Sequence, residues 1–273
     1  MKVGTAIRNM GSTATAAAIR QSAVTAEAAG LDHVWVVDHL AIPPDDAEGS
    51  DGRWIDPLAA LAFLAAATDR IALGVAVLVL PYRPPLPTAK WVASIQELSG
   101  GRLHLGVAAG WMEPEFRALG VDFARRGRTT DATLDFLRDC FAAPADDVVS
   151  ANGQDFLFRP RPPRPPLYVG GMSDAALARA VRAGDGWLPI GLDPAQLEPR
   201  ITRLRELAAA AGRTCPEIVL MGTLPDSDDQ AVDRLGHLAA LGATHYIQAS
   251  RYHTQHEFDA LVTRLAAIRA RLA

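Results

Sequence analysis

LDHVWVVDHLAIP, residues 31–43, is the stretch on which the fold turns. Val34, Trp35, Val36 and Val37 form a short run of β-formers that reads as a strand covered on both faces. The run stops abruptly at Asp38-His39, and the Pro43-Pro44 pair that soon follows marks a loop. A strand apolar on both faces belongs to a parallel α/β sheet, whose chemistry collects at the C-terminal strand ends. Asp38 and His39 stand at such an end.

The same unit repeats outward from this segment. Val3 to Ile7 reads as a first strand, and alanine-rich Thr13 to Ala29 as the helix after it, stopped by Gly30. On the other side, a polar loop from Pro44 to Arg53 leads to Asp56-Pro57, a cap-then-proline start for a helix to about Ala67. Ile71 to Leu80 (IALGVAVLVL) is a third strand, too apolar to face water. A helix over about Pro87 to Leu98 and a fourth strand over Leu103 to Ala108 follow.

The rhythm breaks from Met112 to Pro166. This region holds a short helical piece, a helix from about Arg128 to Phe141, a hairpin in VVSANGQDFLF turned by Asn152-Gly153, and the stiff run RPRPPRPP. Strands at Leu167–Val169, Gly186–Pro189, Glu217–Gly222 and Thr244–Gln248 then alternate with helices to about Leu272. Eight strand-helix units predict a (β/α)8 TIM barrel in one domain, residues 1–273, with an insertion over about 112–166 between the fourth and fifth strands. A doubly wound open sheet is the runner-up and would need a reversal of strand order.

Composition narrows the function classes. The 273 residues are 49% hydrophobic and 21% charged, ample for a core, and a net charge of −4 suggests neither a nucleic-acid nor an anionic-membrane partner. No apolar run spans a bilayer, and no signal peptide precedes the first strand. Cys140 and Cys215 carry neither metal-ligand nor disulfide spacing, so a cytoplasmic setting is expected. Scattered histidines imply no metal, and Gly4, Gly11, Gly74 and Gly106 form no dinucleotide or phosphate-loop fingerprint.

Among residues that can do chemistry, His39 can move a proton near neutral pH, although the plainer reading of the residue types is that Asp38 caps a turn and His39 is a satisfied structural imidazole. Gly110 before Trp111, and Gly170-Gly171 before Met172-Ser173, allow backbone to approach a ligand, and a helix opening after Ser173 would aim N–H groups at a phosphate. Arg83, Trp187 and Arg251 follow the third, sixth and eighth strands and are candidates for lining a barrel mouth. Trp54, Trp111 and Trp187 suggest an apolar substrate pocket.

Four segments in order, AEAAGLDHVWVVDHL, DPLAALAFLAAATDRIALGVAVLVLPYRPP, LSGGRLHLGVAAGWMEPEFRALGV and PPLYVGGMSDAALARAVRAGDGWLP, resemble the bacterial luciferase-like monooxygenase superfamily, especially its branch using the deazaflavin coenzyme F-420. The resemblance runs to about Pro189, and the C-terminal third matches in pattern only. It implies a metal-free flavin-type barrel with the ring across the mouth, Asp38 and His39 beside its reacting part, and a bulge with a non-proline cis peptide at Ala76-Val77. Ala109, Gly110, Trp111, Gly170, Gly171, Met172 and Ser173 would hold the ring edge and the ribityl-phosphate tail.

The sugar-phosphate dehydrogenases of that branch carry a carboxylate just after the fourth-strand glycine, as acid partner to the histidine. Here that position is Trp111, and Leu40-Ala41-Ile42 occupies the loop where they carry a tryptophan. Both departures argue against glucose-6-phosphate oxidation. Glu113 and Glu115 are expected on the next helix.

The resemblance leads to an oxidoreductase passing hydride between F-420 and a small organic substrate, His39 serving as proton donor or acceptor. One alternative is an FMN-dependent monooxygenase using O2 and reduced flavin from a partner reductase. A second is a non-catalytic flavin-binding relative. A homodimer packed through helices of the second and third units is the implied assembly.

Overall fold

The strand carrying Trp35 is one stave of a closed barrel. The computed structural model describes residues 1–142, 147–191, 194–249 and 251–272. In chain order its main elements are β1 (Lys2–Ala6), α1 (Ala16–Ala28), β2 (His33–Val36), α2 (Pro57–Ala67), β3 (Ala72–Val79), α3 (Pro85–Leu98) and β4 (Leu103–Ala108). There follow α4 (Glu113–Ala118), α5 (Arg126–Phe141), β5 (Val148–Ala151), β6 (Gln154–Leu157), β7 (Leu167–Gly170) and α6 (Asp174–Ala183). The remainder is β8 (Gly186–Leu188), α7 (Pro194–Ala210), β9 (Glu217–Gly222), α8 (Asp228–Ala240), β10 (Ala243–Gln248) and α9 (Gln255–Ala270).

The barrel closes in the order β1-β10-β9-β8-β7-β4-β3-β2, and its pairings are parallel. Because β1 pairs with both β10 and β2, there is no sheet edge and no reversal of strand order, which removes the doubly wound alternative. β4 pairs directly with β7, so α4, α5 and the β5-β6 hairpin are the insertion between the fourth and fifth barrel strands. Asn152 and Gly153 both take positive φ (52° and 77°), the tight turn whose twist matches an antiparallel hairpin.

Local signals set the helix starts. Thr15 caps α1 by accepting from Ala18 N–H, and Asp56 caps α2 by accepting from Leu58 and Ala59, with Pro57 at the first helical position. Most of the core lies between barrel and helices. A smaller interior cluster holds Trp35, Ala76, Tyr168, Leu188, Val219 and Ile247.

The barrel interior is filled by rings. Trp35 lies against Gly74, where an added Cβ would come within 2.3 Å of the indole, so the large side chain on β2 requires a missing one on β3. Towards the N-terminal strand ends, the barrel floor holds His33, His104, His245 and Tyr168, with ring centroids 5.5 to 6.0 Å apart in the contacting pairs. Trp35 Nε1–H donates to His33 Nδ1 at 2.7 Å.

β3 breaks register against β4 between Val75 and Leu78, and the Ala76–Val77 peptide inside that bulge is cis. The bulge therefore stands where the resemblance places it. Sequence and structure differ at element ends by a few residues, as when α3 starts at Pro85 instead of Pro87.

Candidate active site

β2 ends at Val36, and the next three residues carry Asp38 and His39 over the C-terminal rim of the barrel. Asp38 is buried. Its carboxylate accepts from Val79 N–H at 2.9 Å and takes both arms of the Arg83 guanidinium, at 2.7 and 2.8 Å. Arg83 also reaches the helix-capping Asp56 at 2.7 Å. Asp38, Arg83 and Asp56 thus bolt the ends of β2 and β3 to the start of α2.

Burial pushes the Asp38 carboxyl up from its ordinary value, against the pull of the Arg83 guanidinium and the Val79 N–H. Arg83 feels the same burial, but its two carboxylates outweigh it and hold the guanidinium charged. Arg83 is therefore committed to holding the rim together. Its sequence-level assignment to substrate is corrected: both arms are already spent.

His39 has a carboxylate partner after all. Nδ1 lies 2.8 Å from Glu115 Oε2, and the same oxygen accepts from the Tyr82 hydroxyl at 2.8 Å. Glu115 Oε1 accepts from the backbone N–H groups of Leu40 and Ala41, at 2.5 and 2.8 Å. Glu115 is fully buried. Burial alone would raise its pKa, but the hydrogen bonds from His39, Ala41, Leu40 and Tyr82 bring it down to about 2. An ionised carboxylate only accepts, so His39 donates from Nδ1, and Nε2 is the nitrogen left to take up or give a proton.

The expectation that Trp111 leaves the histidine without an acid partner is thus overturned. α4 begins one residue after Met112, and Met112, Glu115, Phe116 and Leu119 share its inward stripe. Glu115 lies on the next helix as expected, and a carboxylate on an otherwise apolar helical stripe is the readable signal that turns it inward. Tyr82 and Asp56 were missed as members of the site.

The aromatic missing from the 40–42 loop also arrives from elsewhere. Trp54 lies with its ring centroid 4.7 Å from that of His39, and Trp111 stands edge-on to His39 at 6.4 Å. Trp111 is 71% exposed. The residue before it must be glycine: Gly110 has φ +82°, and an added Cβ would lie 2.7 Å from Val79 Cγ1 and 2.9 Å from the Phe116 ring. Ala109 precedes this turn.

At the fifth barrel strand, Gly170 ends β7 beside the bulge: a Cβ there would lie 3.0 Å from Val77 Cγ1. Gly171 follows with φ +113°, Met172 is exposed, and Ser173 caps α6 by accepting from Ala176 N–H. The structure thus joins Asp38 and His39 at one rim position with Trp111, and joins Val77 to Gly170. Trp187 is not at the mouth. It is fully buried in the layer between barrel and helices, and its indole N–H donates to the Gly171 carbonyl at 2.7 Å, which corrects its assignment to substrate. Arg251 is exposed beyond β10, and none of the described contacts joins it to His39.

A family model described as luciferase-like monooxygenase matches residues 1–272, the C-terminal third included. The chain belongs to the luciferase-like monooxygenase family. An uncharacterized protein of Mycobacterium tuberculosis is 34% identical over 247 residues, 84% of this chain and 83% of that one. An FMNH2-dependent dimethylsulfone monooxygenase of Pseudomonas putida is 31% identical over 157 residues, 55% of this chain and 43% of its own length. An F-420-dependent secondary alcohol dehydrogenase, solved with an F-420–acetone adduct, superposes with a TM-score of 0.83 at 15% identity, covering 100% of this chain and 99% of that one. That last likeness speaks for the fold. The luciferase-like barrel makes the chain an oxidoreductase or monooxygenase of this family.

The mouth fits a flat, largely apolar tricyclic coenzyme. Trp111 leaves a wide apolar surface uncovered there, and Met172 and Ile190, just past the ends of β7 and β8, are each 45% exposed. Among the described residues no group of histidine, cysteine and carboxylate side chains could hold a metal ion. No described helix is long and apolar enough to cross a membrane.

Proposed function

We propose that the chain is an F-420-dependent oxidoreductase acting on a small organic substrate at the C-terminal mouth of the barrel. The observation that carries this reading is the His39–Glu115 pair, with Nδ1 bonded to a buried carboxylate and Nε2 left open to the mouth. Interconverting an alcohol and a carbonyl needs one proton moved at oxygen, and a histidine held in one tautomer supplies that acceptor or donor. The deazaflavin, when bound, supplies the two-electron hydride acceptor or donor. Ala76, Val77, Ala109, Gly110, Trp111 and Gly170 to Ser173 would hold it.

Glu115 acts through His39. It fixes the tautomer, aims the ring, and offsets the positive charge that the imidazole acquires on taking a proton. Asp38 and Arg83 hold the rim on which His39 sits.

The test is a pair of titrations, one with F-420 and one with FMN. F-420 binding in the micromolar range is expected. His39→Ala should lower turnover by about 10²–10⁴ while coenzyme affinity changes little. Binding of FMN without F-420 would replace this reading by monooxygenation with O2 and reduced flavin from a partner reductase. The likeness to the dimethylsulfone monooxygenase favours that second reading.

Two further expectations stand as proposals. Exposed Phe63, Trp91 and Leu98 on α2 and α3 support a homodimer packed through those helices, to be checked by sedimentation. The two free thiols, buried Cys140 and exposed Cys215, support a reducing, cytoplasmic setting.

A further inference from the structure

We propose a second binding site, separate from the mouth: a single halide-sized anion held between Arg234 on α8 and Tyr246 on β10, in a small cavity outside the barrel wall. Chloride and bromide are the ions it suits, and neither coenzyme has a part in it.

The residues of α8 carry the first sign. Ala231, Leu235 and Leu238 form the buried stripe of the helix, and Arg234 stands on the same face at the i, i+3, i+4, i+7 spacing. Its side chain is half-buried, and its Nε–H is buried without a protein partner. The hydroxyl of Tyr246, a residue only 2% exposed, is likewise buried without a protein partner. Both residues line one cavity of about 20 Å³, walled on its other sides mostly by apolar side chains such as Leu197, Leu220 and Leu238. Gly222 leaves room beside the hydroxyl, since an added Cβ would lie 3.2 Å from the Tyr246 oxygen. Burial pushes the Tyr246 phenol up to about 12 against the pull of the Arg234 guanidinium, so it keeps its proton and can donate.

Charge and hydrogen bonding select the occupant. A guanidinium turned into an apolar layer calls for a counter-charge. The carboxylates of α7 and α8 are engaged elsewhere: Glu198 with His237, Glu206 with Arg203, Asp228 with Arg264 and Asp229 with Arg271, while Asp233 is exposed. Backbone acceptors at the cavity are engaged too. The Met221 and Gly222 carbonyls take the N–H groups of Gly191 and Ala249, at 3.2 and 2.8 Å. A water would bring two hydrogens to carbonyls already bonded, whereas an anion needs donors alone. The space admits roughly one water-sized particle, so a halide fits and sulfate does not. So held, the ion ties α8 to β9 and β10 through charge-assisted hydrogen bonds.

The test is thermal unfolding at constant ionic strength, with sodium gluconate replaced by chloride, bromide or sulfate at about 0.1 M. Chloride and bromide should raise the melting temperature of the parent protein by about 3 °C through mass action. Tyr246→Phe and Arg234→Gln should each lose that rise. Gly222→Ala keeps both donors but fills the space, and should lose it as well. Sulfate stabilises folded proteins generally, so it should act alike on parent and variants. Each result is a difference between salts on one protein, so a variant of lower stability still reports. A crystal soaked in bromide should show anomalous scattering between Arg234 Nε and the Tyr246 hydroxyl.

Equal halide responses in the parent and in Tyr246→Phe overturn the proposal, as does a parent that responds to neither halide. A water in place of bromide between the two donors overturns it as well.

Discussion

The two ends of this barrel solve the problem of polar side chains in opposite ways. At the floor, His33, His104 and His245 sit with Trp35 and Tyr168 in a cluster of neutral rings, and none of the three histidines reaches a carboxylate. Trp35 donates to Nδ1 of His33, so its proton is on Nε2. The Thr244 hydroxyl donates to the Ile218 carbonyl and so accepts from Nδ1–H of His245. The outer nitrogens His33 Nε2, His104 Nδ1 and His245 Nε2 are buried without a protein partner. At the mouth, the side chains are formally charged and nearly every arm is engaged. Packing therefore builds the floor and electrostatics builds the rim, and substitutions should separate the two.

The largest effect is expected at the floor. Trp35→Ala empties the centre of the interior cluster and should cost about 4 kcal/mol, lowering the melting temperature by roughly 10 °C. Thermal unfolding checks it, and a shift of only a degree or two would show that the interior repacks. At the rim, Asp38→Ala strips one carboxylate from Arg83 and the acceptor from Val79 N–H, for an expected loss of about 3 kcal/mol in urea denaturation. Glu115→Gln keeps the shape but turns one carboxylate oxygen into a donor, so two of the four accepted hydrogen bonds are lost together with the charge behind His39. It should lower kcat about a hundredfold and stability in urea by about 2 kcal/mol, with coenzyme affinity nearly unchanged. Turnover equal to that of the parent protein would make Glu115 a piece of scaffold instead.

The smallest effect, per group, is the acid response of the floor. Burial lowers His33 well below its ordinary value, His104 to about 3 and His245 to about 4, with Lys2 adding to the last two. Between the unfolded value of about 6.5 and those folded values, the unfolded chain binds more protons than the folded one. Stability should accordingly be flat above pH 6.5 and fall below it, by up to ~1.4 kcal/mol per pH unit for each histidine. Glu115, held at about 2, extends the loss from pH 4.5 down to about pH 2, because over that range the unfolded chain takes up a proton that the folded carboxylate does not. His245→Gln should flatten the slope between pH 6 and pH 4 by about one proton. An unchanged slope would place the acid sensitivity elsewhere.

Much of the fold was legible because two-sided apolar strands such as IALGVAVLVL leave little choice but a buried parallel sheet. Asp38 and His39 were legible for a related reason, since a polar pair ending such a strand can only lie on the rim. Glu115 was not, because its partner is 76 residues away and the link is made by one turn of α4. Arg83 and Trp187 show the converse. Their residue types and positions suit a mouth, but Arg83 finds two carboxylates and the Trp187 indole finds the Gly171 carbonyl, pairings that no local pattern announces.

The knot at Glu115 also bears on how such a barrel can change through descent. Its carboxylate is shared by a histidine, a tyrosine and two backbone groups, so replacing any single member strands a buried charge or donor. Every first step away from the His39 arrangement is uphill. Trp111, exposed and preceded by Gly110 at positive φ, is under no such constraint, so that position can change without stranding a buried group while the knot beneath it stays fixed.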